Sequence, residues 1–204
     1  MSNFKKRFII SLLAFPIIYI LLYQKILSNL LIVVVCLFCT YEWNNIFRKK
    51  NYIFFFGLLV LLFFLFSLLK IYNFEHYNLK FLWLILIAWL TDIGGYVFGK
   101  FFGGPKLIKI SPNKTWSGAF GSLILSQFAF LIFFLDNDYE LNSNIFFFQT
   151  LLSIIGQFGD ILMSYIKRVN NKKDTSNFIP GHGGFLDRVD GLIWIFIFGN
   201  FLNL

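Results

Sequence analysis

Charge is scarce in this 204-residue chain: 14% of its residues are Asp, Glu, Lys or Arg, against 58% hydrophobic, and the mean hydropathy is +0.72. So little charge excludes an ordinary soluble domain and points to a polytopic membrane protein. Cysteine is limited to Cys36 and Cys39, inside an apolar run with no second Cys or His pair nearby. That placement argues against zinc or C-x-x-C redox chemistry and leaves two small packing residues. Of the 2 histidines, His76 lies beside Glu75 in a polar connection and reads as solvated. The chain has no G-x-x-x-x-G-K-[ST] stretch, which excludes a Walker-type loop. No A-x-A-like cleavage site follows Lys5-Lys6-Arg7 and its apolar run, so this opening reads as a retained first helix. Without internal repeats or a low-complexity linker, a single membrane domain is expected over 1–204, divided into N-terminal helices at 1–78 and a core at 79–204.

Long hydrophobic runs are what the chain has in abundance. A bilayer core needs about 20 apolar residues per helix, and the sequence divides into about seven such runs, near 8–23, 26–47, 52–71, 79–99, 116–135, 145–166 and 189–204. The expected fold is therefore all-α, an integral membrane helix bundle, with a tight turn at 24–29 between the first two runs. Its 30 phenylalanines read as lipid-facing or core filler. With the N-terminus in the cytoplasm, all 18 basic residues except Lys25, Lys70 and Lys80 fall on the cytoplasmic side, as the positive-inside pattern requires. This distribution accounts for the net charge of +8 without nucleic-acid binding, so no nucleic acid is expected as a partner.

Intramembrane carboxylates are costly unless paired or hydrated, and three runs contain one: Glu42, Asp92 and Asp160. Counted back from Arg48, Lys100 and Lys167, they lie about 9, 12 and 10 Å below the cytoplasmic surface at 1.5 Å per residue. Two readings stand open for Glu42: a group at the site, or a buried carboxylate paired with a neighbouring Trp or Asn. Asp160, Ser164 and Lys167 share one helix face, as do Asp92, Gly95, Tyr96 and Gly99. The glycines on that second face suit either a helix-packing seam or a close approach of phosphate to backbone.

Two polar clusters accompany these carboxylates. In the stretch 103–118, Ser111-Pro112-Asn113 favours a turn, and Asn113, Lys114 and Thr115 precede a helix whose N-terminus suits an anion. In the stretch 164–190, charges of both signs are dense: Lys167, Arg168, Lys173, Asp174, His182, Asp187, Arg188 and Asp190. Asp160 and Asp187 suit a divalent cation, and Lys167, Arg168, Lys173 and Arg188 suit phosphate oxygens. Gly183-Gly184 would let backbone close over a nucleotide.

At these residues the chain resembles the phosphatidate cytidylyltransferases, also called CDP-diacylglycerol synthases. Their signature is filled without a gap by Ser164, Lys167, Arg168, Lys173, Asp174, Ser176, Ile179, Pro180, His182, Gly183, Gly184, Phe185, Asp187, Arg188, Val189 and Asp190. Asp92-Ile93-Gly94-Gly95-Tyr96 and Ser111-Pro112-Asn113-Lys114-Thr115 extend the likeness through the C-terminal half, making 79–204 the cytidylyltransferase-like core. Many members are longer at the N-terminus, and many carry Glu or Gln where this chain has Ser117.

The resemblance implies transfer of the cytidylyl group of CTP to phosphatidic acid in the bilayer, giving CDP-diacylglycerol and pyrophosphate, with Mg²⁺ required and K⁺ a candidate second cation. It implies Asp160 and Asp187 as metal ligands, and Asp160, Lys167, Arg168, Lys173, Asp187 and Arg188 as catalytic groups. Substrate contacts would come from Asp92, Asn113, Lys114, Thr115, Ser164, His182, Gly183, Gly184 and Asp190. The expected setting is the bacterial inner membrane, with the site facing the cytoplasm; a homodimer is an open option. Two alternatives stand beside this reading: an enzyme for another lipid phosphate, and a transporter using Glu42, Asp92 and Asp160 as a relay.

Overall fold

The computed structural model of the protein describes residues 24–47, 51–73, 78–108, 111–135, 144–172, 174–176 and 183–202, except the side chains at 51, 78, 112, 113 and 133–135. The expected first span, 8–23, lies outside these residues. Four of the expected spans appear as long apolar helices: α1 (Lys25–Phe47), α2 (Asn51–Asn73), α3 (Asn78–Phe102) and α5 (Asn144–Val169). Each has at least 23 residues and is apolar enough to cross a membrane. At 1.5 Å per residue, 23 residues extend about 35 Å, more than a hydrocarbon core of about 30 Å. The turn expected at 24–29 is absent, because α1 already begins at Lys25 and its first turn is closed by Ser28 N–H donating to the Gln24 carbonyl at 2.9 Å.

The fifth span is not one α-helix. Trp116–Ser126 is α-helical (α4), and Gln127–Leu135 continues it as a 3₁₀ segment. A polar contact lies within the 3₁₀ segment: the Phe130 N–H donates at 2.7 Å to the amide oxygen of fully buried Gln149 on α5, which also accepts from Trp83 Nε1 at 2.9 Å. A side chain that takes over a backbone donor diverts it from the helical ladder. Hydropathy carries no trace of such a partner. The last helix, α6 (Leu186–Gly199), starts ahead of the expected 189 and has 14 residues.

A short antiparallel hairpin modifies the all-α expectation. β1 (Lys106–Ile108) pairs with β2 (Ser111–Thr115), Lys106 opposite Thr115 and Ile108 opposite Ser111. Ser111, Pro112 and Asn113 thus belong to a strand rather than a turn. Proline is tolerated there because a two-stranded ribbon has only edge strands.

Helix α3 is central, packing on α2, α4, α5 and α6, and its Trp83, Leu84 and Ile87 are fully buried. Phe196 of α6 meets Phe64 and Phe81 edge-on, at centroid separations of 6.2 and 5.1 Å. Outward faces carry apolar residues at helical spacing, among them Val33, Leu37 and Tyr41 on α1 and Phe55, Leu59, Leu62 and Phe66 on α2, all exposed. An apolar exterior of this kind suits lipid rather than water.

The α3–α4 contact is a glycine seam. A Cβ on Gly118 would stand 2.7 Å from the Gly95 carbonyl oxygen, and one on Gly94 would meet the backbone of Gly121 and Ser122. These residues let the two backbones touch, as small residues do between membrane helices. Of the two readings held for Gly95 and Gly99, the packing seam is the one the geometry supports. Its consequence is to bring the N-terminus of α4 beside the C-terminal half of α3, where Asp92 lies.

Candidate functional site

The C-terminal ends of α1, α3 and α5 and the N-terminal ends of α4 and α6 gather at one end of the bundle, and the polar residues converge there. Between α3, β2, α4 and α5 lies a cavity of about 190 Å³ lined by Asp92, Gly95, Tyr96, Lys114, Thr115, Ser122, Gln157 and Asp160, among others. Lys114 of β2 forms an ion pair with Asp160 of α5 across it. Both side chains stay accessible, at 25% and 34% exposure, so this pair can be opened by a charged ligand. The cavity is held in shape by buried hydroxyls: Ser122 Oγ donates to the Thr91 carbonyl at 2.6 Å, and Thr91 and Ser153 hydroxyls lie 2.9 Å apart. Thr115 serves as the N-cap of α4, its Oγ1 accepting from the Gly118 N–H at 3.1 Å. Capping satisfies one of the unpaired amides at that helix end while leaving Thr115 on the cavity wall.

A second polar node lies at the start of α6. Helix α5 ends where Asn171 takes a φ of 55°, and the Lys172 N–H turns back to the Lys167 carbonyl at 3.0 Å; an Asn in the left-handed region is a common helix stop. The chain then returns through 174–176 to meet α6. Asp187 Oδ1 accepts from Lys167 Nζ at 2.7 Å, and Oδ2 accepts from Thr175 N at 2.8 Å and Gly184 N at 3.0 Å. Burial alone would raise this carboxyl, which precedes the last apolar run. The Lys167 ammonium and the two amides outweigh burial and hold it below the usual carboxylate range. Lys167 is itself buried, and its Nζ also lies 4.0 Å from Asp190 Oδ2.

Glu42 completes this node from α1. It is 2% exposed and accepts four donors: Ser176 Oγ at 2.6 Å and Phe185 N at 2.9 Å on Oε1, Thr175 Oγ1 at 2.9 Å and Leu186 N at 2.8 Å on Oε2. The capping residue Phe185 supplies no side-chain bond to α6, so Glu42 takes that role from another helix, and its negative charge suits the positive end of the α6 dipole. Of the two readings held open for Glu42, the buried, paired carboxylate is the one seen, with hydroxyl and backbone amide donors in place of a Trp or Asn. A carboxylate fixed by four donors is poorly suited to a proton or ion relay.

Gly183 and Gly184 belong to the same construction. Gly183 has a φ of 85°, and a Cβ on Gly184 would run into Thr175 Oγ1 and the Glu42 carboxylate. The pair closes the backbone over two carboxylates.

The remaining expected residues divide as follows. Asp160, Ser164 and Lys167 do lie along α5, but Asp160 joins Lys114 whereas Lys167 joins Asp187. Asp92 and Asp190 are electrostatic neighbours of Asp160, and Arg188 acts on Asp92. Arg168 is exposed and donates from Nη1 to the Lys172 carbonyl at 3.1 Å. Lys173, His182 and the Asn113 side chain lie outside the described residues. Two contributors went unnoticed in the sequence. Thr175 occupies a position the signature leaves free, and its hydroxyl lies within 3.0 Å of Asp187 as well as facing Glu42. Gln157 lines the cavity one turn before Asp160; a polar residue at that spacing in an apolar run was the available signal.

A family model described as the cytidylyltransferase family matches residues 8–203. Among curated relatives, the phosphatidate cytidylyltransferase of Staphylococcus haemolyticus is 42% identical over 116 residues, covering 56% of this chain and 45% of the relative. That of Brucella suis is 42% identical over 111 residues, covering 54% and 41%. That of Staphylococcus aureus is 44% identical over 116 residues, covering 56% and 45%. The chain thus spans less than half the length of each of these relatives. The match of nearly the whole chain to the family model, together with a polar, glycine-packed site at one end of an apolar bundle, means that this integral membrane protein belongs to the cytidylyltransferase family.

Proposed function

We propose that the protein transfers the cytidylyl group of CTP to phosphatidic acid, forming CDP-diacylglycerol and releasing pyrophosphate, at the cytoplasmic face of a bacterial inner membrane. The observation that carries this reading is the Lys114–Asp160 pair, held accessible in a cavity at carboxylate depth beside an apolar exterior. Relatives named for this activity support the choice of substrates, and the distribution of Lys and Arg supports the orientation.

The phosphate monoester of the lipid is already an anion, so it needs no base. One of its oxygens attacks the α-phosphorus of CTP, and the bond from that phosphorus to pyrophosphate breaks. The work left to the protein is to position two polyanions and offset their repulsion. Lys114 would exchange Asp160 for a phosphate oxygen, while Arg168, Lys173 and Arg188 would contribute positive charge around the same end of the bundle. Lys167 would act through Asp187 and Asp190, and Asp92, Asn113, Thr115, Ser164 and His182 would contact substrate.

Asp160 fits Mg²⁺, because it presents a hard oxygen donor to the cavity and Mg²⁺ is commonly held by one or two carboxylates plus substrate phosphates. Asp187 would become a ligand by giving up Lys167 or one of its amide donors. When bound, Mg²⁺ would neutralise charge developing on the reacting phosphates.

The test is incubation of purified protein with labelled CTP, Mg²⁺ and phosphatidic acid in detergent. A lipid-soluble CMP-containing product that disappears with EDTA and with Asp160→Asn is expected. Full turnover by a folded Asp160→Asn or Asp187→Asn protein would remove the corresponding residue from the mechanism, and no product from folded wild type would overturn the reading.

A further inference from the structure

Beside the polar cavity lies a second, apolar one of about 340 Å³ between α4 and α5. Its walls include Trp116, Phe120, Leu123, Ile154 and Phe158. Leu107, Ala119, Gln157 and Ile161 line both cavities, so the two share one wall and meet along it. The change of character across that wall is sharp: Asp92, Lys114 and Asp160 stand on one side, aromatic and aliphatic side chains on the other. At the boundary sits Gln157, whose Nε2 reaches the Ala119 carbonyl at 3.5 Å. Such a contact lies at the long limit of hydrogen bonding and is easily exchanged for another acceptor.

A polar pocket continuous with an apolar groove on the outside of a membrane bundle matches a ligand with one anionic end and one hydrocarbon end. Resting on the function proposed above, we infer that the α4–α5 groove holds an acyl chain of the lipid phosphate, with its phosphate against Lys114 and an ester carbonyl within reach of the Gln157 amide. From Trp116 to Leu123 the α4 wall runs about 10 Å at 1.5 Å per residue, enough to contact the upper part of one chain and leave the remainder in the bilayer. Trp116, Phe120 and Phe158 are 51%, 60% and 67% exposed; they rim the groove rather than fill it. Ordinary bilayer lipid would wet any such surface, so the inference requires selection for the anionic lipid phosphate over a zwitterionic one of the same chains.

Trp116 is a built-in reporter. Protein in detergent, without CTP or Mg²⁺, is titrated with phosphatidic acid brominated on its acyl chains and, in parallel, with phosphatidylcholine brominated identically. Stronger quenching by the phosphatidate at equal mole fraction is expected, with the excess lost in Trp116→Phe and reduced in Lys114→Ala. Equal quenching by the two lipids overturns the groove assignment. A second measurement uses turnover. Leu123→Trp narrows the groove at a position that lines it and not the polar cavity, and is expected to raise KM for long-chain phosphatidate by roughly tenfold, with KM for CTP unchanged and a short-chain phosphatidate little affected. An equal effect on both chain lengths, or none, also overturns it. Selective quenching in a protein that makes no CDP-lipid would instead retain the groove and reject the cytidylyl-transfer reading.

Discussion

At Glu42 four donors converge on one buried carboxylate, two of them the amides that open α6. Removing it takes the acceptor from those two amides, while the Thr175 hydroxyl keeps Asp187 Oδ2 at 3.0 Å, and hydrogen bonds to a charged group contribute about 1.5–3 kcal/mol each at the outside. Glu42→Ala is expected to cost about 3 kcal/mol or more, seen as a large fall in the thermal midpoint in detergent, whereas Glu42→Gln keeps one acceptor oxygen and loses less. Gly184→Ala is expected to resemble Glu42→Ala, since its methyl would occupy the position of Thr175 Oγ1 and press on the same carboxylate. Asp187 adds a pH dependence. Its folded carboxyl is held low, so its stabilisation is present above the unfolded value of about 3.9 and is lost as pH falls through the lower folded value. Thermal midpoints measured from neutral pH downward should converge for wild type and Asp187→Asn in acid and separate above it.

Between elements, the decisive contact is the glycine seam of α3 and α4. Because a Cβ on Gly118 would meet the Gly95 carbonyl at 2.7 Å, and backbone yields less than a side chain, Gly118→Ala should force the helices apart. Overpacking of this kind costs about 1–3 kcal/mol. The expected readout is a lowered thermal midpoint together with weakened phosphate binding, because separating α4 from α3 also moves Lys114, just ahead of α4, away from the Asp92 wall of the cavity. The reciprocal amide pair of Asn29 and Asn73, at 3.0 and 3.1 Å, ties α1 to α2 at the opposite end. Asn29→Ala should therefore lower stability with little change in turnover per folded molecule. Hydropathy revealed neither contact, since it reports how apolar a helix is and not which turn meets which neighbour.

For the molecule as a whole, orientation in the bilayer is the property that places the site. Lys25 precedes the long apolar course of α1 and Lys172 follows that of α5, and both are exposed. Single cysteines at Lys25→Cys and Lys172→Cys should react with an impermeant maleimide from opposite sides of the membrane, Lys172→Cys from the cytoplasm. Native Cys36 and Cys39, 4% and 0% exposed, should stay silent. Labelling of both positions from one side would break the proposed topology, and labelling of Lys25→Cys from the cytoplasm with Lys172→Cys from outside would reverse it.

Much of this architecture was legible along the chain. Four membrane helices follow from run length and hydropathy, and the carboxylates, Lys114 and the dense 164–190 cluster stood out against an apolar background because charge there is expensive. What local pattern does not encode is pairing at a distance. Glu42 finds its donors 133 to 144 residues further along, Lys114 pairs with Asp160 on another element, and Gln149 of α5 reaches the Phe130 amide within the 3₁₀ segment. Composition and spacing by themselves determined that this chain is a membrane protein whose polar and charged residues gather near one surface, since desolvation penalties act on residue types wherever they lie. Only the tertiary structure decided which carboxylate caps a helix, which faces the cavity and where an apolar groove meets it, because those outcomes depend on which helix ends packing brings together.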